Sequence, residues 1–333
     1  YVKVISEEKM NYLKDTITFV GNAIVDIVSQ SSDETLRDLN IKKGSMNLID
    51  EEMAEKFLTL IKNPTIISGG SAANTAVGFS SLGGEAFFVG QIGNDDYGDL
   101  FSKNINESGV FFEKIETLTK EKTSKSIILV TPDAERSMNT FLGASVNFNI
   151  SSINEDLIMK SNYIYIEGYL FDQDHAKKAI YQCCKLAKDN DCKIALTLSD
   201  QFCVERHRQD FKDLIKQYVD IIFANESEIT SLFQNNLDES LIEIKENVEI
   251  GAITLGPRGS IVFKNNKSFS VDPIKVTKAL DTTGAGDLFA SGFLYGLAKD
   301  KPIKECGYVG SKSAAEIIKH FGARPKTSLK TIL

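Results

Sequence analysis

From Asn162 onward the chain alternates short apolar runs with longer stretches of helical rhythm. Tyr163 to Glu167, Lys193 to Leu198, Asp220 to Ala224 and Ile250 to Leu255 are apolar runs of strand length. Asp174 to Lys188, Gln209 to Tyr218 and Ile303 to Phe321 have helical periodicity. Strands that alternate with helices are joined by right-handed crossovers and lie in a buried, mostly parallel sheet. The pattern predicts a three-layer α/β/α core. Upstream, Ile17 to Gly21 and Ile24 to Val28 read as two strands joined by a bend, with Asp26 interrupting the second. Gly44 to Asp50 and Lys125 to Phe141, the latter split by the turn Pro132 to Glu135, read as a small separate β-sheet. The expected organisation is one unit over residues 16–326, its small sheet drawn from about 30–52 and 110–145, with 1–15 as an N-terminal extension.

Ligands of open α/β sheets sit outside the carboxyl ends of the strands. Asp26, Asn225, Gly256 and Gly284 all fall at or near strand ends, so they are expected to converge on one crevice. The most specific chemistry is in Asp281-Thr-Thr-Gly-Ala-Gly-Asp287, which runs directly into an apolar helical stretch. Small residues at 284–286 leave backbone N–H groups open at a helix N-terminus, where the donors and the helix dipole favour an anion such as phosphate. A carboxylate at 287 is repelled by that anion and is suited to taking a proton from an attacking hydroxyl. A tight turn with Asp287 as a helix cap is the structural alternative.

Composition narrows the classes. The 333 residues, 42% hydrophobic, suffice for a sizeable core. With 38 Lys plus Arg against 46 Asp plus Glu, the net charge of −8 supplies no global basic surface for nucleic acid or an anionic membrane. The five cysteines have no C-x-x-C spacing and read as reduced thiols. The first fifteen residues contain no apolar run of signal-peptide or membrane-span length, which with the cysteines points to a cytoplasmic protein. His175, His207 and His320 lack metal-ligand spacing and are expected at the surface. Gly307 to Ser313 echoes a Walker A loop but lacks its ending and lies in a helical pattern. Gly284-Ala-Gly286 also lacks the third glycine of a dinucleotide fingerprint.

Asp281 to Gly292 closely resembles the C-terminal signature of the ribokinase-like (PfkB-type) sugar and nucleoside kinases. The resemblance implies an α/β core with a β lid, and gives Gly284, Ala285 and Gly286 the transferring phosphoryl group and Asp287 the role of base. Ser68 to Ala76 resembles the family's N-terminal signature, which makes Gly69 and Gly70 a hinge and Asn74 a sugar contact; a plain turn with close helix packing is the alternative. Asn22, Ile24 and Asp26 lie in a segment whose Asp, in the resembled enzymes, accepts hydrogen bonds from acceptor hydroxyls, a role to be set against a salt bridge or turn cap. Arg136 resembles a lid Arg that neutralises the moving phosphoryl group, although a solvated strand residue would look the same. Asn225 and Glu228 match a motif that arranges Mg²⁺ near ATP, and equally a helix cap. Thr254, Gly256 and Gly259 match the loop that holds nucleotide phosphates. Asp281 and Thr283, with Gly322-Ala323, resemble a monovalent cation (K⁺) site.

Several local segments, among them Arg136 to Leu142, Glu167 to Leu170 and Phe223 to Glu228, resemble the adenosine kinase branch of the family. That resemblance implies ATP and Mg²⁺ as cosubstrate and cofactor and a nucleoside acceptor, with Ile24, Met138, Leu142 and Tyr169 as an apolar wall for a purine. Ribokinase-like or fructokinase-like activity is the alternative within the enzyme class, and a non-catalytic sugar or nucleoside binder the alternative outside it. A small-molecule partner is expected, with the chain monomeric or dimerising through its lids.

Overall fold

The computed structural model describes residues 16–114, 120–133 and 135–333; the expected extension at 1–15 lies outside them. Nine strands form the large sheet. In chain order they are β1 (Thr16–Val20), β5 (Glu85–Val89), β6 (Val110–Phe112), β9 (Tyr163–Glu167), β10 (Lys193–Thr197), β11 (Ile221–Asn225), β12 (Ile250–Thr254), β13 (Ser260–Lys264) and β14 (Lys267–Val271). Their spatial order is β14-β13-β12-β11-β10-β9-β1-β5-β6. Every pairing from β6 through β12 is parallel, and the edge hairpin β13–β14 is antiparallel.

Parallel strands covered on both faces carry apolar residues on both. Ile164, Ile166, Ile194, Leu196 and Ile222 pack toward one helical layer, while Tyr165, Ala195, Ile221 and Phe223 pack toward the other. The first layer contains α5 (Glu155–Met159), α6 (Asp174–Asp189), α7 (Gln201–Gln217), α8 (Glu226–Phe233) and α9 (Leu237–Lys245). The second is built chiefly from α3 (Ser71–Leu82), α4 (Asp96–Glu107), α10 (Ala285–Ala298) and α11 (Ile303–Ile317). The Walker-like Gly307 to Ser313 lies inside α11.

A five-stranded sheet, β3-β8-β7-β2-β4, stands apart. Its strands are β2 (Ile24–Gln30), β3 (Met46–Leu48), β4 (Thr65–Gly69), β7 (Ser124–Val130) and β8 (Arg136–Phe141). Its back is closed by α1 (Asp33–Asp38) and α2 (Glu51–Leu60), with Leu36, Ala54 and Phe57 against Ile127, Leu129 and Phe141. The expected spans of 30–52 and 110–145 differ from this sheet in three places: β2 and β4 belong to it, and 110–112 pairs with β5 of the large sheet. The reason is the bend at Gly21 to Ala23, which carries the chain out of β1 and into the other sheet, so Asp26 lies on the small sheet and not at the end of a core strand.

Candidate active site

Two helix N-termini, α3 and α10, meet where the small sheet joins the core, and the helices pack side by side. Ser291 Oγ on α10 ties them by donating to the Thr75 carbonyl at 2.8 Å. Gly284 caps α10 with φ +77°, a conformation a glycine adopts without strain. A Cβ added at Gly284 would also lie 2.7 Å from the Ala323 Cβ, whereas one at Gly286 would meet no atom within 4 Å. Gly286, in the predicted anion site, therefore borders open space.

Asp287 occupies the first turn of α10. Its Oδ1 accepts from Ser71 Oγ at 2.7 Å and its Oδ2 from Asn74 Nδ2 at 3.2 Å. Burial pushes the carboxyl up to about 6 against the two donors, which hold it down. It is thus ionised at neutral pH yet basic enough to take a proton. Asn74 is oriented in turn by Arg324, whose Nε donates to Asn74 Oδ1 at 3.2 Å. A guanidinium only donates, so the amide oxygen faces Arg324 and the amide nitrogen faces Asp287.

Asp26 projects from β2 toward Gly69, where an added Cβ would fall 2.2 Å from its Oδ2. Gly70 has φ +94°. Burial raises the Asp26 carboxyl to about 7, offset in part by the guanidinium groups of Arg324 and Arg136 and reinforced by Asp287. Asn22 is engaged by a residue that sequence reasoning passed over. Glu167, fully buried at the end of β9, accepts from Asn22 N–H at 3.2 Å, Asn22 Nδ2 at 2.8 Å and Ala72 N–H at 2.8 Å. Burial lifts it to about 7 despite these three donors. Glu167 therefore fixes the bend between the sheets onto the start of α3, and the only signal for it was a carboxylate ending an apolar strand.

Arg136 begins β8, and its guanidinium pairs with buried Asp281. The other partners of Asp281 are the backbone N–H groups of Thr283 at 2.9 Å and Gly322 at 2.8 Å. Arg136, Met138 and the 279–283 loop line a cleft of about 400 Å³. The residues expected at a monovalent cation site thus come together, with the lid Arg bound to their carboxylate. A second cleft of about 580 Å³ is lined by Thr254, Gly256, Gly259, Ala285, Gly286 and the apolar Phe289, Ala314 and Ile318. The predicted nucleotide loop and the predicted anion-binding helix end line one space. Gly259 has φ +87°, and an added Cβ would lie 2.2 Å from the Val271 carbonyl oxygen.

Asn225 and Glu228 form a reciprocal helix cap. Asn225 Oδ1 accepts from Glu228 N–H at 2.9 Å, Glu228 Oε2 accepts from Asn225 N–H at 2.9 Å, and Asn225 Nδ2 donates to Glu228 Oε1 at 2.6 Å. Burial raises Glu228 to about 7, and the charges of Asp200 and Asp287 add to the rise. A hydrated cation would relieve that repulsion. Mg²⁺ prefers oxygen donors and keeps several waters when phosphates supply its other ligands, so the buried Glu228 carboxylate suits it.

The expected purine wall is not one surface. Ile24 pairs with Gly69 and Ser124 in the small sheet, and the Leu142 carbonyl accepts from Ser124 Oγ. Tyr169 instead packs on the α6–α7 side of the core and donates its hydroxyl to the Ser199 carbonyl at 3.4 Å. Its turn follows β9, which turns the ring away from the small sheet. His207 also departs from the expected exposure: a kink in α7 places it mostly inside, 2.7 Å from Asp172 Oδ1.

The model of the pfkB family carbohydrate kinases matches residues 32–330. The chain belongs to this family. In this PfkB kinase, the matched region includes the whole assembly from β4 to Arg324. The chain is 39% identical to a solved adenosine kinase from Sinorhizobium meliloti, with a TM-score of 0.89 over 96% of this chain and 98% of that one. A solved probable sugar kinase from Rhizobium etli CFN 42 is 41% identical, with a TM-score of 0.90 over 96% and 97%. Adenosine kinase 2 of Arabidopsis thaliana is 26% identical over 91% of this chain and 93% of its own length. Ribokinase from Haemophilus influenzae is 27% identical over 79% of this chain and 85% of its own. The protein is therefore a sugar or nucleoside kinase, a phosphotransferase with a hydroxyl acceptor. Among the described residues no helix is long and apolar enough to cross a membrane.

Proposed function

We propose that the protein transfers the γ-phosphoryl group of ATP to the primary, 5′-type hydroxyl of a nucleoside, with adenosine as the favoured acceptor. The observation that carries this reading is the Asp287 carboxylate, held by Ser71 and Asn74 beside open helix N-terminal amides and facing the Asp26 side of the small sheet. ATP occupies the cleft between the Thr254 to Gly259 loop and Gly286, its terminal phosphate at the α10 amides. The acceptor lies between Asp26 and Asn74. As the hydroxyl oxygen forms its bond to the γ-phosphorus, Asp287 takes the hydroxyl proton, and the bond to the β,γ-bridging oxygen breaks with its electrons leaving on ADP. Mg²⁺, when bound, neutralises phosphate charge. Closure of the small sheet at Gly69-Gly70 excludes water as a competing acceptor and frees Arg136 from Asp281 to face the phosphoryl group.

Among the curated relatives, the adenosine kinases align over 91–92% of this chain and the sugar kinases over 74–81%, which favours the nucleoside acceptor; the solved probable sugar kinase and the solved adenosine kinase each align over 96% and do not separate the two. A ribokinase-like or fructokinase-like acceptor would use the same machinery. The test is ADP release from ATP·Mg²⁺ with adenosine, ribose and fructose in parallel, with Asp287→Asn as the blank. Adenosine-selective turnover that falls about 10²- to 10⁴-fold in the variant is the expected result. Preference for a free sugar overturns the acceptor, and a variant within threefold of wild type overturns the base.

A further inference from the structure

A guanidinium carries five N–H donors and no acceptor, so a buried one needs oxygen on several sides. Arg324 lies in the segment after α11 that passes beneath the small sheet. Its Nε donates to Asn74 Oδ1 and one terminal nitrogen donates to Ser68 Oγ. The other terminal nitrogen is buried and has no hydrogen-bond partner among the described residues. Asp26 feels the Arg324 charge, yet no ion pair or hydrogen bond joins the two, and the Asp26 carboxylate makes no hydrogen bond to any described group.

Strand register explains the separation. Asp26 lies opposite Ile67, so both face the same side of the sheet. Ser68, the next residue of β4, anchors the guanidinium, and Asn74 anchors it from α3. Pinned at two points, Arg324 cannot collapse onto Asp26. Arg324 also lines a cleft of about 590 Å³ with Val28 and Ile67, which share the Asp26 face. Asp26 does not line that cleft; between it and Arg324, an anion would meet the Asp26 carboxylate and a cation would meet the Arg324 guanidinium. A hydroxyl group, which accepts and donates at once, satisfies both sides.

We propose that Arg324 is an acceptor-binding residue whose free N–H donates to the acceptor hydroxyl oxygens while Asp26 takes the hydrogen bonds those hydroxyls donate. The inference rests on the kinase reading only in placing a hydroxylated acceptor beside Asp26. It makes the Asp26–Arg324 pair a device for discriminating a ring that carries its hydroxyls from one that lacks them, since the deoxy compound leaves the buried Arg324 nitrogen and the Asp26 carboxylate without those partners.

The test measures kcat and KM for wild type, Arg324→Lys and Arg324→Ala. The substrates are whichever of adenosine, ribose or fructose the wild type phosphorylates, together with its deoxy counterparts. Arg324→Ala is expected to lower kcat/KM for the full acceptor about 10- to 100-fold, mostly through KM, the size of a lost charged hydrogen bond. For at least one deoxy counterpart the loss should be under about threefold. Arg324→Lys, which keeps the charge and loses the fork, should recover only part. Equal loss on full and deoxy acceptors would show a merely structural role and overturn the proposal. If Arg324→Ala does not fold, Arg324→Gln carries the same comparison. Turnover of a free sugar alone overturns the nucleoside reading and leaves the Arg324 comparison to be made with that sugar. A wild type that neither binds nor phosphorylates any of the three overturns both.

Discussion

Replacing Asp26 by Asn should make the ligand-free protein more stable and a poorer enzyme. The Asp26 carboxyl rises from 3.8 to about 7 in the fold because burial penalises its charge, and among the described residues no hydrogen bond compensates it. A carboxyl whose folded pKa is raised contributes stability in its protonated form below about pH 4, and that contribution is lost as pH rises through about 7. At about 1.4 kcal/mol per tenfold change in proton affinity, the charged form costs at most about 4 kcal/mol at pH 8. Asp26 is partly accessible, and solvent screening reduces the figure to about 2 kcal/mol. Asn fills the same space without charge and removes that cost. For a chain of this size the gain corresponds to a Tm increase of about 4 °C at pH 8 and about half that at pH 5, where wild-type Asp26 is already mostly protonated. Thermal unfolding of wild type and variant at the two pH values measures it, and acceptor KM measured alongside should rise at least about tenfold. A variant less stable than wild type at pH 8, or a Tm difference unchanged between pH 8 and 5, would refute the electrostatic reasoning.

Other expectations concern the same assembly. In the proposed mechanism Asp26 and Asp287 act as carboxylates, and with burial raising them to about 7 and about 6, acceptor kcat/KM should fall as pH drops below about 7 and fall more steeply below about 6; a flat profile from pH 8 to 5.5 contradicts this. Gly286→Ala meets no neighbouring atom and should leave Tm within about 1 °C. Its methyl would stand in the space proposed for the ATP phosphates and lower kcat/KM for ATP about 10- to 100-fold in steady-state assays. Gly70→Ala requires φ +94° and a Cβ 2.3 Å from the Asn22 carbonyl oxygen, so denaturant unfolding should show a loss of about 2–3 kcal/mol or more.

Strands β1 and β9 to β12 of the large sheet were legible, while β5, β6 and the edge hairpin β13–β14 were not, because strands buried on both faces must be apolar throughout and helices between them must carry one apolar face. Both leave a local periodicity that survives in the sequence of 163–317. The start of α10 was legible for a related reason: an uncrowded helix N-terminus needs small residues next to one another, and Gly284-Ala-Gly286 with Asp287 forms a contiguous string. The cysteines also kept their expected character, since Cys183, Cys184, Cys192, Cys203 and Cys306 are free and buried, and burial pushes their thiols upward.

Strand pairing at long range was not legible. The small sheet takes β2 and β4 from either side of an intervening helix pair and adds β7 and β8 from further down the chain, and no local period encodes which strands will meet. The same limit hid Glu167 and Arg324. Each carries a charge whose partners lie 95 to 256 positions away along the chain, Ala72 and Asn22 for one and Asn74 and Ser68 for the other. The sequence by itself therefore determined the alternating core and the place of Asp287 in the first turn of α10. Which donors hold that carboxylate, and which guanidinium stands opposite Asp26 without pairing to it, was decided by tertiary packing, because hydrogen bonds and charge pairs depend on distance in space and not on distance along the chain.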